Sequence, residues 1–174
     1  MVVADTTPLR HLVAIGKADL LASLYRCVSI GPVIQAELQA SATPERVKKW
    51  IYGKPSWLDI RQEPDLGRST LFAKYLLDPG ERETLQMAVA LQAELVLIDD
   101  RAGRNAAKEC GLRISGTIGV FESAHDLGLL PNFLQVLSDI EASGFYLSSS
   151  FRSLILDRYQ QRFRRLKLQA TTEE

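Results

Sequence analysis

Five short apolar runs, at residues 2–4, 27–30, 57–60, 95–98 and 112–114, lack the polar alternation of a half-exposed strand, and most lead straight into a helix start. Strands that are apolar on both faces must be covered on both, and a strand that hands over to a helix returns to the sheet in parallel. The pattern therefore predicts an α/β chain, a three-layer α/β/α arrangement around a mainly parallel, roughly five-stranded sheet. Several helix starts can be read directly. Thr7-Pro8 places a cap before proline, in a helix that continues past Gly16 to Leu24. Gly31-Pro32 opens a short helix with Val33, Ile34 and Leu38, and Thr43-Pro44 opens another through Trp50. Asp78-Pro79-Gly80-Glu81 has the cap, proline and third-position glutamate of a capping box, opening a helix to about Ala93. Further helices are expected at 69–77, at 101–110 closed by Gly111, and at 118–127, 132–143 and 149–163.

With 174 residues, 46% of them hydrophobic, the chain can bury a core. Residues 1–150 read as the domain, and 151–174 as a basic C-terminal helix and tail. Formal charge is zero, from 21 basic and 21 acidic side chains, so any attraction to a polyanion must come from local clusters. Cys27 and Cys110 have no paired metal or redox spacing and read as reduced, packed thiols. His11 and His125, the two histidines, have no zinc-site spacing. The opening Met1 to Asp5 lacks a signal peptide's basic start and apolar stretch, and the most apolar later run, 87–98, is too short to span a bilayer. These features imply a soluble cytoplasmic protein with no membrane partner.

In parallel sheets, ligands bind beyond the carboxyl ends of the strands, where loops diverge. Asp5 and the doublet Asp99-Asp100 fall there. With Thr7 as the cap, Asp5 has no structural duty. Glu37 lies four residues after Val33 and three after Ile34, on the inward side of its helix. Asp78 and Glu81 are accounted for as a capping pair. Glu83 lines up with Met87 and Ala90 on a helix apolar nearly all round, where a carboxylate needs a cation or a hydrogen-bonding partner. One member of the doublet caps the next helix and the other projects into the crevice: Asp100 is the first choice for that role, with Asp99 as alternative or second contributor. Such carboxylates, if gathered, suit Mg2+ or Mn2+ and phosphodiester hydrolysis. The chain has no phosphate loop, no dinucleotide fingerprint and no nucleophile elbow, and Asp5-Thr6-Thr7 lacks the second aspartate of the haloacid-dehalogenase-like phosphatases.

Four segments, at 2–9, at 33–38 around Glu37, Gly80-Glu81-Arg82-Glu83, and Leu97-Ile98-Asp99-Asp100-Arg101-Ala102-Gly103-Arg104, together make the chain resemble the PIN-domain family, in particular a compact prokaryotic subgroup. The resemblance spans about the first 120 residues. It implies a parallel sheet between helices and a metal-dependent endoribonuclease acting on single-stranded RNA, of the kind found as toxins neutralised by a small antitoxin protein. By position it implies Asp5, Glu37, Glu83 and Asp100 as catalytic acids, the same four with Asp99 as metal ligands, Thr6 or Thr117 as orienting groups, and a homodimer. Glu83 departs from the pattern by standing where many members have aspartate. A non-catalytic nucleic-acid- or protein-binding module is the alternative. Arg101 and Arg104, with Arg158, Arg162 and Arg165 in the basic, aromatic C-terminal segment, are the candidate RNA-backbone contacts. A solvated helix or a subunit contact explains that segment equally well.

Overall fold

The computed structural model describes residues 1–62 and 72–172, without side chains beyond 162. Its five strands are β1 (Val2–Ala4), β2 (Val28–Ile30), β3 (Leu58–Ile60), β4 (Leu95–Leu97) and β5 (Ile114–Ser115). They form one sheet in the order β3-β2-β1-β4-β5, and every pairing is parallel. The helices are α1 (Thr6–Ala14), α2 (Asp19–Tyr25), α3 (Pro32–Gln39), α4 (Glu45–Tyr52), α5 (Pro79–Ala90), α6 (Arg101–Glu109), α7 (Thr117–Asp126), α8 (Phe133–Ala142) and α9 (Ser149–Thr172).

Both faces of the sheet are covered, as the apolar runs require. Val2 and Ala4 of β1 and Leu97 of β4 point into a large core with Leu9, Leu21, Ile34, Ile51, Phe121 and Phe133, supplied by α1, α2, α3, α4, α7 and α8. Val3, Val96 and Ile98 point the other way, onto Leu85 and Met87 of α5 and Ala106 and Ala107 of α6. Ile155 of α9 is fully buried in the larger core, and Tyr159 stacks on Phe133 with ring centroids 5.2 Å apart, so the first half of α9 is packed on the domain.

Four local expectations are revised. Asp5, not Thr7, is the N-cap of α1, accepting the Thr7 N–H at 3.4 Å. Pro8 then occupies the third helical position, where its missing N–H is again harmless, because the first turn has no carbonyl to pair with. The first helix breaks at Gly16, whose φ of +70° reverses the chain and divides it into α1 and α2. The helix expected at 69–77 is absent over 72–77, which form a turn, a bend and irregular chain, and 69–71 lie outside the described residues. Lastly, α9 runs on to Thr172, beyond the expected end at 163.

Strand order places a topological switch between β1 and β4. From β1 the chain proceeds outward to β2 and β3, then returns to β4 on the other side of β1. Connections leaving these two central strands diverge, opening a crevice at their carboxyl ends. The Asp5 N–H donates to the Leu97 carbonyl at 2.9 Å, which ties the two strand ends together at that crevice.

Candidate active site

Each acidic residue at the crevice is fixed by the local structure that carries it. Asp5 follows β1 and is buried at 4% exposure. Burial pushes its carboxyl up to about 7; the Thr6 and Thr7 N–H groups oppose the shift, and the neighbouring Asp78 and Glu37 charges add to it. On α3, Ile34 and Leu38 go into the core and Glu37 reaches the crevice, where it accepts a hydrogen bond from the Thr6 hydroxyl. Thr6, one of the two candidate orienting groups, thus touches an acid of the crevice.

At the start of α5 the capping box is present as read: Glu81 N–H donates to Asp78 Oδ1 at 2.7 Å, and Asp78 N–H donates to Glu81 Oε2 at 3.0 Å. The box does not exhaust Glu81. Its carboxyl is buried and raised to about 7, first by desolvation, with Asp78 and Asp100 adding negative charge. A Cβ at Gly103 of α6 would come within 3.9 Å of the Glu81 carboxyl carbon, which puts Glu81 against the first turn of α6. Asp100 caps that helix, accepting from Ala102 N–H at 2.6 Å and Gly103 N–H at 3.2 Å, and it is exposed. Asp5, Glu37, Asp78, Glu81 and Asp100 therefore form a connected acidic array along the switch point.

Glu83 is placed otherwise. Its carboxylate accepts Val33 N–H at 3.0 Å from both oxygens and Ile34 N–H at 3.1 Å, so it docks on the N-terminus of α3. The partner that a buried carboxylate needs is here a helix end. Glu81, two residues earlier, is the acid that stands beside Asp100. Sequence reasoning missed it because one side chain serves two purposes and the capping box explained it fully; the readable signal was that Glu81 opens an otherwise buried helix.

Asp99 turns away from Asp100. It accepts Thr117 N–H at 2.9 Å and the Thr117 hydroxyl at 2.5 Å, near Arg104 and His11. Burial raises its carboxyl above the ordinary range, against the Thr117 hydrogen bonds and the influence of His11 and Arg104. Asp99 thereby joins β4 to α7. The doublet is divided: Asp100 caps α6 beside Glu81, and Asp99 holds the neighbouring helix.

The candidate RNA contacts are also divided. Arg101 is exposed in the first turn of α6, beside the acids, whereas Arg104 donates to the Ile98 carbonyl at 2.9 Å. Arg158 pairs with Glu122 at 3.0 Å, and Arg162 pairs with Glu122 and Asp126 at 3.5 Å each. These two arginines clasp α9 to α7 and do not present an open basic face. Arg165 lies outside the residues whose side chains are described.

A parallel five-stranded sheet with acids at the switch point defines a class, and comparison with known proteins identifies it. The family model for the PIN domain matches residues 1–161, and the chain belongs to the PIN-domain family. No curated protein matches the sequence. The family places the chain among nuclease-type folds, whose members typically use divalent metals. Among the described residues no helix is long and apolar enough to cross a membrane, and both cysteines are free.

The donor chemistry of the array fits a hard divalent cation. It is all carboxylate oxygen, and two of its members are raised to about 7 by burial beside like charge, a penalty that a cation removes. Among the described residues no three His, Cys, Asp or Glu side chains form a ready ligand cage. A cation taking one or two carboxylates and retaining its waters, the habit of Mg2+, suits that spacing.

Proposed function

We propose that the protein is a Mg2+- or Mn2+-dependent endoribonuclease that hydrolyses phosphodiester bonds of single-stranded RNA at the β1/β4 switch point. The observation that carries this reading is the acidic array at the strand ends of a PIN domain, in which Asp5 and Glu81 are both buried and Asp78 neighbours each of them. One or two of Asp5, Glu37, Glu81 and Asp100 would hold the cation directly, and the others would face its retained waters. When bound, it supplies Lewis-acid stabilisation of the charge that develops on the phosphate. Thr6 fixes Glu37 through its hydroxyl, Asp78 holds Glu81 through its N–H, and exposed Arg101 offers a phosphate contact at the rim. Asp99 serves the array indirectly, by setting where β4 ends against α7.

The test is cleavage of single-stranded RNA by purified protein with chelator, with Mg2+ and with Mn2+. Cation-dependent cleavage that Asp5→Asn and Glu81→Gln abolish is the expected result; cleavage equal in both variants refutes the assignment. The reading extends to a toxin that acts as a homodimer and is neutralised by a small antitoxin protein. Growth arrest on expression, relieved by co-expressing a neighbouring short reading frame, tests that extension. A non-catalytic RNA-binding module predicts instead salt-sensitive RNA retention indifferent to both substitutions.

A further inference from the structure

We propose that Glu83 is a positioning residue that, by capping α3 from α5, sets where Glu37 stands in the acidic array. This rests on the reading of the array as a metal site. The need for such a cap is written in the sequence of α3. Its N-cap is Gly31, which has no side chain to accept a hydrogen bond, and its first helical residue is Pro32, which has no N–H to donate. The first donors left without a partner are the Val33 and Ile34 N–H groups, and Glu83 takes both. The negative carboxylate also lies at the positive end of the helix dipole.

A second contact registers the same two helices one turn away. A Cβ at Gly80 would lie 2.7 Å and 2.9 Å from the Glu37 carboxylate oxygens and 2.9 Å from Ile34 Cδ1, so α5 meets α3 at the Glu37 side chain with no space to spare. Gly80 adjoins Glu81 in sequence. The cap at Glu83 and the close approach at Gly80 thus fix the rotation and height of α3 relative to the helix that carries Glu81, and so fix Glu37 against Glu81. Gly31 completes the arrangement: a Cβ there would fall inside the Glu83 carboxylate.

The experiment compares full-length wild type, Glu83→Ala, Glu83→Gln, Gly31→Ala and the Gly31→Ala/Glu83→Ala pair, well below their unfolding temperatures. Two readouts are taken: amide hydrogen exchange at Val33 and Ile34, and Mn2+ affinity of the folded protein. Glu83→Ala should speed exchange at both amides and weaken Mn2+ binding about tenfold, the scale at which partners that orient metal ligands act. Glu83→Gln, which keeps one acceptor oxygen, should recover part of both. Gly31→Ala should mimic Glu83→Ala by expelling the carboxylate, and the pair should be no worse than Glu83→Ala alone. Unchanged exchange in Glu83→Ala overturns the cap. Faster exchange with unchanged Mn2+ affinity overturns the positioning role and leaves a purely structural one. If the wild type itself takes up no Mn2+, the reading of the array as a metal site fails, and the positioning role fails with it.

Discussion

Asparagine at position 5 separates the chemistry of the array from its electrostatic strain. The Asp5 carboxyl ionises near 4 when the chain is unfolded and at about 7 when it is folded, because burial beside Asp78 and Glu37 opposes its charge. Between those values the folded protein holds the proton and the unfolded one has released it. Stability must therefore fall as pH rises from about 4 to about 7, then level off. A displacement of about three pH units at about 1.4 kcal/mol each bounds the loss at roughly 4 kcal/mol. Relaxation and water at the crevice reduce the expected value to about 2 kcal/mol. Asparagine has almost the same shape, keeps an oxygen for the Thr7 N–H and carries no charge. Asp5→Asn should thus match wild type near pH 4, exceed it by about 2 kcal/mol near pH 8 in metal-free buffer, and cleave no RNA. Urea unfolding across this range, with chelator and again with millimolar Mn2+, measures the difference. Manganese should restore stability to wild type at the higher pH and do little for the variant. Parallel pH profiles for the two proteins would refute the electrostatic account, whatever happens to activity.

Other substitutions probe separate parts of the structure. Glu81→Gln should lower cleavage at least a hundredfold, while Glu83→Gln keeps a measurable fraction; equal losses in the two would undo the distinction between them. Asp99→Ala removes the acceptor for the Thr117 N–H and hydroxyl and should cost about 2–3 kcal/mol in chemical denaturation. Ile155→Ala should cost about 3 kcal/mol, because that side chain is fully buried in the larger core, whereas a loosely attached α9 would show almost no change. Glu122→Ala leaves Arg158 and Arg162 without their shared partner and should raise proteolysis within α9 before it lowers global stability.

The sheet could be read from sequence because runs such as 2–4 and 95–98 are apolar at every position, and only a strand covered on both faces asks for that. The acids at the strand ends followed from the same logic. What escaped were contacts between segments far apart in the chain. Glu83 reads as a lone buried carboxylate until Gly31 and Pro32, some fifty residues earlier, show that α3 cannot cap itself. Glu81 was hidden by its own capping box, since local chemistry cannot reveal that a side chain already employed also faces Asp100. Arg158 and Arg162 make an open basic stripe in one dimension and an ion-paired clasp in three, because Glu122 and Asp126 lie on another helix.

The strand order has a consequence for synthesis. β1 emerges first and finds β2 within thirty residues, but its other edge has no partner until β4 is made. Through that interval the growing chain carries one open, apolar strand edge, the kind of surface on which nascent proteins are most exposed to mispairing. Arrival of β4 closes that edge and, with the same hydrogen bonds, sets the end of β4 that leads to Asp99 and Asp100 against the end of β1 that carries Asp5. Pairing and completion of the array are a single late event, so a ribosome carrying fewer than about a hundred residues of this chain holds Asp5, Glu37 and Glu81 without Asp100.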